Sequence, residues 1–319
     1  MTVPVRPIAE HEWDAAAAIL TATNPNDPLT GEELRRQMRE QQDWGYGWAV
    51  LVAHDATDVV GVALHYQNPG AFHPDRYTLD LAVAPAAQGR GVGAALWTAL
   101  DAALRARNAE SARILAREDH PVAPGFLARR GFSGDKRYFM SALHVPGFDP
   151  APYAALEDRL HARGVRFRSL AQLRAAGTPD LTRRLHALMS DVRQDVPRAE
   201  PATPLSFEVF EDAILGDPGL LPDAYLVAEV DGQWVGQTSL FRSDASPDLL
   251  TGLTGVTRDW RGQGIATGLK LAAIRAARAL DATTIRTDNA SDNAPMLAIN
   301  DRLGFVRDPA SVSHVIQFR

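Results

Sequence analysis

The sequence contains no cysteine, which excludes disulfide bridges, thiol nucleophiles and metal sites built on thiolates. It also lacks a surplus of basic residues, because its formal net charge is −6. A surface that binds nucleic acid is basic, so we expect no nucleic-acid partner. No apolar run approaches the roughly 18 residues that cross a membrane, and the N-terminus lacks the apolar segment of a signal peptide. We therefore expect a cytoplasmic location and no membrane partner.

The composition is otherwise that of a soluble globular protein. The chain has 319 residues, of which 45% are hydrophobic and 23% charged. Because a typical domain has roughly 100–200 residues, this length favours two domains. The histidines are scattered without ligand spacing, so we expect no metal site.

One stretch of the sequence occurs twice, and each copy has a short apolar strand, a glycine-rich turn and an apolar-periodic helix. The copies cover residues 81–108 and 254–280. Gly91 in the first turn and Gly264 in the second are 173 residues apart, and the same offset relates Gly131 to Gly304. Two unrelated turns would not repeat together with a downstream glycine. The pattern therefore indicates a repeated structural unit.

A glycine-rich turn that opens a helix is suited to binding an anion. The first N–H groups of a helix lack partners and its dipole places positive charge there, while glycines let the backbone approach a phosphate closely. Neither turn has the Lys-Ser/Thr pair of a Walker loop. The dinucleotide pattern is also missed, because Ala94 stands where its last glycine would be. What both turns share is Gln/Arg-x-x-Gly-x-Gly/Ala.

This pattern resembles the pyrophosphate loop of the GCN5-related N-acetyltransferase (GNAT) family, which holds coenzyme A. The resemblance implies an α/β fold with a mixed (α+β) sheet, two tandem acyl-CoA N-acyltransferase domains, and acetyl-CoA as cofactor. It implies cofactor contacts at each strand end and loop. These residues are Ala82, Val83, Gln88, Gly89, Arg90, Gly91, Val92, Gly93 and Ala94 in the first copy, and Gly255, Val256, Thr257, Arg261, Gly262, Gln263, Gly264, Ile265 and Ala266 in the second.

The apolar patterns predict the same order of elements, β-α-α-β-β-β-α-β-α-β, on both sides of a linker rich in proline and glycine. We predict an N-terminal domain over residues 1–145, a linker with a connecting helix over 146–163, and a C-terminal domain over 164–319. A strand over 138–144 is expected to complete the first domain, and a strand over 313–318 the second.

Two positions near each distal glycine matter in the family. An Asn eleven residues before that glycine often contacts the cofactor; Asn293 matches it, whereas the first copy has His120. Asn293 could instead be a simple helix cap. Many members have a Tyr four residues before the glycine, which protonates the departing thiolate. This sequence has Leu127 and Asn300 there, so Asn300 is a candidate and the general acid stays open.

A general base is expected from a carboxylate on the central strands. The first copy offers Asp80 and the second offers Glu229, and either could instead be an outward-facing strand residue. We expect the second unit to carry out the chemistry, because it keeps Asn293 and Asn300. In a tandem member of the family with this layout, the C-terminal half is also the catalytic one. Against this, Asp80 is the better-placed carboxylate by strand position.

The resulting hypothesis is transfer of an acetyl or related acyl group from acetyl-CoA to an amine of a small molecule. A protein or peptide N-acetyltransferase is one alternative. A coenzyme-A-binding sensor without turnover is another, favoured by the absent tyrosines. We expect a monomer in which the tandem domains pack together, with a homodimer possible.

Overall fold

The computed structural model describes residues 3–318 and follows the predicted alternation of strands and helices. The first half contains β1 (Val5–Pro7), α1 (Trp13–Thr23), α2 (Gly31–Asp43), β2 (Ala49–Asp55), β3 (Asp58–Tyr66), β4 (Arg76–Val83), α3 (Val92–Ala106), β5 (Ser111–Arg117), α4 (Ala123–Ala128) and β6 (Ser133–His144). The second half contains α5 (Ala154–Ala162), β7 (Arg166–Ser169), α6 (Leu170–Ala175), α7 (Leu181–Val192), α8 (Phe207–Phe210), β8 (Leu226–Val230), β9 (Gln233–Thr238), β10 (Leu240–Ser243), β11 (Ser246–Thr251), β12 (Gly255–Val256), α9 (Ile265–Ala279), β13 (Thr284–Ala290), α10 (Ala294–Leu303), β14 (Val306–Arg307) and β15 (Ser311–Gln317).

These elements form two compact units, each discontinuous in sequence. Within the described residues, unit 1 comprises 3–137, 199–203 and 309–318, and unit 2 comprises 138–198 and 204–308. The predicted connecting helix is present as α5. None of the helices formed by residues 3–318 has the length and apolar character needed to span a bilayer.

Unit 1 is a sheet in the order β1-β2-β3-β4-β5-β15, in which only the β4–β5 pair is parallel. Side chains alternate between the two faces of each strand. Leu64 therefore packs with α1 and α2 on one face. Leu79 packs with Leu96 and Leu100 of α3 on the other face. The α3 helix lies so close that a Cβ on Gly61 would be 2.8 Å from Leu96 Cδ1.

Unit 2 divides the corresponding strands between two sheets, in the orders β6-β13-β11-β10 and β12-β9-β8-β7. The sequence predicts one strand over 249–256, but the chain leaves the first sheet after Thr251 and joins the second at Gly255. Gly252 donates its N–H to Ser239 O at 2.9 Å. A Cβ on Gly252 would lie 2.4 Å from Ser239 Oγ, so the backbone bends at a point where only glycine fits.

The last strand of each unit differs from the prediction. β15 pairs antiparallel with β5, from Ser311 opposite Arg117 to Gln317 opposite Ser111, and so belongs to unit 1. The 138–144 part of β6 pairs with β13 and belongs to unit 2. Burial explains this arrangement, because Ile316 lies in the core of unit 1 and Leu143 in the core of unit 2.

Candidate functional site

The two glycine loops have the same backbone conformation. Gly89 and Gly91 have φ angles of 73° and 86°, and Gly262 and Gly264 have φ angles of 72° and 87°. Only glycine adopts this left-handed region without strain. In each unit the helix, α3 or α9, begins at the residue after the second glycine. The repeated motif is therefore a repeated structure that presents the open N-terminus of a long helix.

A side chain at the start of each loop fixes it to the preceding strand. Gln88 donates from Nε2 to Val83 O at 3.2 Å, and Arg261 donates from Nε to Val256 O at 2.9 Å. The two residues occupy equivalent positions, 173 apart, and perform the same task with different chemistry. The observed role of both side chains is therefore to hold the loop against the strand that precedes it.

In unit 1 the two parallel strands separate before the loop. β4 and β5 pair only from Arg76 opposite Ser111 to Leu79 opposite Ile114. From there to Val83, β4 pairs with β3 alone, which leaves an opening beside it. Successive backbone groups of an antiparallel strand point to opposite sides.

That alternation decides which backbone group of β4 faces the opening. Ala84 donates its N–H to Val60 O in β3, so the N–H of Val83 points the other way, towards the opening. The N–H of Ala82 points towards β3. Of the two predicted backbone contacts, Val83 is therefore the one available to a carbonyl oxygen.

Unit 2 has a corresponding opening. β11 pairs with β13 only at Leu249 opposite Ile285 and Leu250 opposite Arg286. After these pairs the chain moves to β12, which pairs with β9. There Thr257 donates its N–H to Val235 O, so the N–H of Val256 faces away from β9. The adjacent Gly255 is oriented towards β9.

The arginines at the two loops are paired with carboxylates. Arg90 Nη2 lies 2.6 Å from Asp55 Oδ2, and both side chains are exposed. In unit 2, Arg258 and Arg261 both contact Asp195, and their hydrogen bonds hold the pKa of that carboxyl well below its usual range. An incoming phosphate would therefore have to compete with Asp195 for Arg261.

The surroundings of the loops differ in the space they leave. A Cβ on Gly91 would meet no atom within 4 Å, whereas a Cβ on Gly264 would lie 2.6 Å from Leu156 Cδ1 of α5. Gln263 also accepts a hydrogen bond from Arg163, the residue that follows α5. The first loop is thus open on this side, and the second is supported by the connecting helix.

Asp80 lies at the first position of β4 that has no partner in β5. It is opposite Leu64 in β3, and its side chain is half-buried on the face that carries α1 and α2. Within residues 3–318 it forms no ion pair. Burial, with a smaller contribution from Asp27 in the loop between α1 and α2, raises the pKa of Asp80 to about 6. Burial raises the pKa of Tyr66 in β3 as well, and Asp80 and Asp27 add to this increase.

Glu229 lies on β8, near the turn of the β8–β9 hairpin. It is opposite Trp234 at the turn end of the β8–β9 hairpin, two residues of β9 beyond Gly236, which pairs with Val256. Its carboxylate accepts a hydrogen bond from Trp234 Nε1 at 3.2 Å and lies 3.6 Å from Arg168 Nη1. Glu229 is paired in this way, and β9 separates its strand from β12.

Asn300 is buried in α10 beside the opening of unit 2. Its Nδ2 donates to Asn289 Oδ1 at 2.7 Å, and Asn289 lies on the part of β13 that has left β11. Its Oδ1 is buried and accepts no hydrogen bond from any group in residues 3–318. A buried acceptor without a partner is costly, so this atom is a candidate contact for a ligand donor.

Asn293 occupies the N-cap position of α10, but its side chain makes no capping hydrogen bond. Its counterpart His120 uses Nδ1 to accept hydrogen bonds from the N–H groups of Val122 and Ala123 at the start of α4. The histidine therefore has the structural capping role, whereas the amide of Asn293 is not engaged as a cap.

Sequence reasoning missed four groups near the two openings. Asp27 and Tyr66 surround Asp80 in unit 1, and Lys270 and Asp288 lie in unit 2. The only sequence signal was the lysine within the otherwise apolar face of the second long helix. No group of three or more His, Asp or Glu residues within the described part of the chain is arranged to hold a metal ion.

The loops fit the diphosphate of coenzyme A. Each offers backbone N–H groups at the N-terminus of a 15-residue helix, and Gly89 and Gly91 leave free space around the first. Beside each loop, separated strands and one inward N–H can accommodate the extended arm and its thioester. Bound there, acetyl-CoA would supply an activated acyl group.

The comparisons with known proteins agree with this geometry. The sequence profile of the acetyltransferase (GNAT) family matches residues 13–132 and 185–305, and the chain belongs to this family. It is an acyltransferase with two GNAT domains in tandem. The family generally uses acetyl-CoA. A search of curated proteins finds no match.

Solved structures share the fold across the whole chain. A GCN5-related N-acetyltransferase from Sphaerobacter thermophilus is 18% identical with a TM-score of 0.74, covering 100% of this chain and 96% of that one. A tandem GNAT protein from the clavulanic acid biosynthesis pathway is 20% identical with a TM-score of 0.74, covering 99% and 98%. A glucosamine N-acetyltransferase region of a fungal β-N-acetylglucosaminidase is 17% identical with a TM-score of 0.71, covering 98% and 38%. At these identities the similarity shows the fold alone.

Proposed function

We propose that the protein transfers an acetyl group from acetyl-CoA to an amine of a small molecule, and that this transfer takes place in unit 1 with Asp80 as general base. The observation that carries the proposal is the position of Asp80, at the point where β4 separates from β5. This assignment differs from the sequence-based expectation of catalysis in unit 2 with Glu229. The ion pair of Glu229 with Arg168 and its place at the hairpin turn support the change.

The chemistry needs a base that is ionised near neutral pH and still basic enough to accept a proton. A carboxyl group with a pKa of about 6 meets both conditions better than an unperturbed aspartate. Asp80 would take a proton from the acceptor amine on the face of the sheet that carries α1 and α2. Val83 would donate its N–H to the acyl oxygen, where negative charge develops. The glycine loop at Gly89 and Gly91 would hold the diphosphate.

The surroundings of Asp80 support a cationic acceptor of small size. Asp27 lies close enough to raise its pKa, and the negative charge of two carboxylates attracts an ammonium group. The loop between α1 and α2, which carries Asp27, would form one wall of the acceptor site. A peptide N-terminus also carries an ammonium group, so peptide acceptors belong in the test.

The test compares Asp80→Asn with Glu229→Gln, two isosteric changes that each remove one strand carboxylate. Release of the coenzyme A thiol is followed at saturating acetyl-CoA with a panel of diamines, amino sugars and short peptides. We expect Asp80→Asn to lower the kcat of unit 1 about 100-fold, the usual contribution of a general base, when it is measured in a Gly264→Val background that removes the coenzyme A site of unit 2. Glu229→Gln in the otherwise unaltered protein should leave kcat within about 2-fold. In the unaltered protein, kcat should fall as the pH drops through about 6, because Asp80 then becomes protonated.

Other outcomes separate the alternatives. A large loss confined to Glu229→Gln would return the chemistry to unit 2. Acetylation of peptides but of no small amine would establish the peptide transferase. Binding of acetyl-CoA without thiol release from any acceptor would favour a coenzyme A sensor.

A further inference from the structure

Lys270 is a buried cation in unit 2. It lies in the middle of α9, its side chain is 3% exposed, and its ammonium is 5.0 Å from the centre of the Phe305 ring. It makes no hydrogen bond or ion pair of contact distance with any other residue in 3–318. Burying an ammonium group without a paired anion is unfavourable, so its presence requires a reason.

The neighbours of Lys270 place it beside the opening between the strands. Phe305 follows α10, and its N–H donates to the carbonyl of Asn300 at 3.0 Å. Asp288 is the charged group that acts on Lys270 electrostatically, and it lies on β13 beyond the last residue paired with β11. The ammonium therefore lies over the ring of Phe305, which follows the helix that carries Asn300, and within electrostatic range of Asp288 on β13.

Asp288 is positioned on the opposite face of β13 from α10. Asn289 bonds to Asn300 of α10, and adjacent strand residues point to opposite faces. The side chain of Asp288 is exposed, yet desolvation by the surrounding protein raises its pKa. The charge of Lys270 offsets part of this increase. An ammonium and a carboxylate thus lie within electrostatic range of each other, and the carboxylate lies on the strand that borders the opening.

Unit 1 has no such pair. Its residues at the positions of Lys270 and Phe305 are Trp97 and Phe132, whose rings pack edge to face at 5.1 Å. Its counterpart of Asp288 is Leu115, which is exposed. The difference in charge is therefore specific to unit 2.

The choice of lysine is informative. Of the 33 lysine and arginine residues in the chain, only Lys136 and Lys270 are lysines. An arginine keeps its proton at any working pH, whereas a buried lysine can give its proton away. Burial lowers the pKa of Lys270 to about 8, a value close to that of a thiol. If this position needed only a fixed positive charge, an arginine would serve as well as a lysine.

We propose that unit 2 is a second acyl-transfer site, in which Lys270 faces the sulfur of coenzyme A and protonates it as the thioester breaks, while Asp288 accepts the proton of the attacking amine. This inference rests on the proposed use of acetyl-CoA, but not on the role of Asp80. It assigns a general acid in a unit that lacks the tyrosine found in many members of the family.

The atoms balance as follows. A neutral amine nitrogen forms a bond to the acyl carbon, and the bond between that carbon and sulfur breaks. Asp288 takes the proton released from nitrogen, and Lys270 gives one proton to sulfur. Transfer of the proton from Asp288 to Lys270 restores both groups. The products are one amide and one thiol.

The first experiment measures the sulfur directly and does not depend on turnover. In a Gly91→Val background, which removes the coenzyme A site of unit 1, the ionisation of the thiol of bound coenzyme A is followed by ultraviolet absorbance. A nearby ammonium favours the thiolate, so we expect the pKa of the bound thiol to be lower than that of free coenzyme A by about one unit or more. Lys270→Met should abolish this difference, Lys270→Arg should retain it, and Lys136→Met should have no effect.

The second experiment measures thiol release by the same proteins in the presence of amines. We expect Lys270→Met to lower kcat by about 10- to 100-fold. With Lys270 present, kcat should fall as the pH rises through about 8, because the acid is then lost. With Lys270→Arg that alkaline decrease should disappear. If Gly91→Val does not fold, Asp80→Asn supplies an alternative background for the measurement of thiol release.

Four results would overturn the proposal. An unchanged thiol pKa in Lys270→Met would show that the ammonium does not face sulfur. Lys270→Met could also weaken the binding of coenzyme A and of adenosine 3′,5′-diphosphate, which lacks the thiol arm, by the same factor. That result would place Lys270 at the phosphates. Stable acetylation of Lys270, detected by mass spectrometry, would make it an acceptor. Loss of turnover on Asp80→Asn alone, with no thiol release from unit 2, would leave the proposed function standing and reject this inference.

Discussion

Asn300 donates a hydrogen bond of 2.7 Å to Asn289, whereas the equivalent residues of unit 1 are the apolar pair Leu127 and Ala116. Removing one partner of a buried hydrogen bond leaves the other unsatisfied, but replacing both by apolar groups is nearly neutral. We therefore expect Asn300→Leu to lower the free energy of unfolding by about 1–2 kcal/mol. The double variant Asn289→Ala/Asn300→Leu, which copies unit 1, should recover most of this loss.

Urea denaturation of the two single variants and the double variant measures the coupling between the asparagines. Calorimetry with coenzyme A in the Gly91→Val background tests the second role of Asn300. Its unpartnered Oδ1 predicts weaker binding in every variant that lacks it, including the stable double variant. Additive losses of stability would show that the hydrogen bond contributes nothing.

His65 predicts a loss of stability in acid. The ring is fully buried in β3 against Tyr77, and neither nitrogen has a partner among residues 3–318. Burial, with a smaller contribution from Arg107, lowers its pKa from 6.5 to about 4. The unfolded chain therefore binds a proton before the folded one does. Stability should fall as the pH drops from about 6.5 to about 4, by roughly 3 kcal/mol in total.

The measurement is the midpoint of urea unfolding between pH 7 and pH 4. In His65→Leu, the decrease in the free energy of unfolding between pH 7 and pH 4 should be smaller by the contribution of His65. This difference does not depend on the stability of the variant at pH 7. His11→Gln, which changes an exposed histidine, is the matched control. Identical pH dependence in all three proteins would contradict the assignment.

The pairing of β15 with β5 predicts an effect at a long distance in sequence. Val315 lies opposite Arg113 in the middle of this ladder. A proline at this position lacks the backbone N–H donor and has a fixed φ angle that does not suit a central strand. We expect Val315→Pro to increase hydrogen exchange of the β5 amides in unit 1, while the amides of α9 stay protected. Faster exchange in α9 than in β5 would contradict the assignment of β15 to unit 1.

The same pairing predicts how the two halves of the chain behave when they are produced separately. A cut near Pro150 leaves each half without the strand that completes its unit, so we expect both halves to be poorly soluble. Mixing the halves during refolding should recover soluble protein, because it restores both strands.

Glycine substitutions should affect the two loops unequally. Alanine at Gly91 or at Gly264 is strained, because the φ angles are 86° and 87°. At Gly264 the new Cβ also meets Leu156 at 2.6 Å, and overpacking of this kind costs about 1–3 kcal/mol. Gly264→Ala should therefore destabilise the protein more than Gly91→Ala, and Leu156→Ala should narrow the difference. Valine at either position should abolish coenzyme A binding in its own unit.

The glycine loops could be predicted because their signal is local. Positive φ angles and a helix start are encoded within six residues, and the residues related by the offset from Gly91 to Gly264 have nearly equal φ angles in the structure. Asp80 was a candidate for a related reason, since it precedes the loop by a fixed distance along one strand. Its raised pKa could not be predicted, because it arises from burial and from Asp27, a residue of another element.

The remaining features depend on pairings between distant residues. Glu229 was a plausible base by strand position, but its contact with Arg168 depends on which strand lies beside β8. In the sequence, Lys270 is one polar residue in an apolar helix. Its contact with Phe305 and its interaction with Asp288 become visible only in the folded structure. Alternation within a strand indicates which side chains are buried, but not which sheet buries them. The positions of β6 and β15 were therefore beyond a local analysis.

The pairing of Arg117 with Ser311 has a consequence for synthesis of the chain. A ribosome that has finished β5 must add 193 further residues before the strand that covers its edge begins. Throughout that interval the N-terminal sheet has an exposed edge available to other chains. A nascent polypeptide of this kind would benefit from a chaperone at that edge, and slow translation of the second half would prolong its exposure.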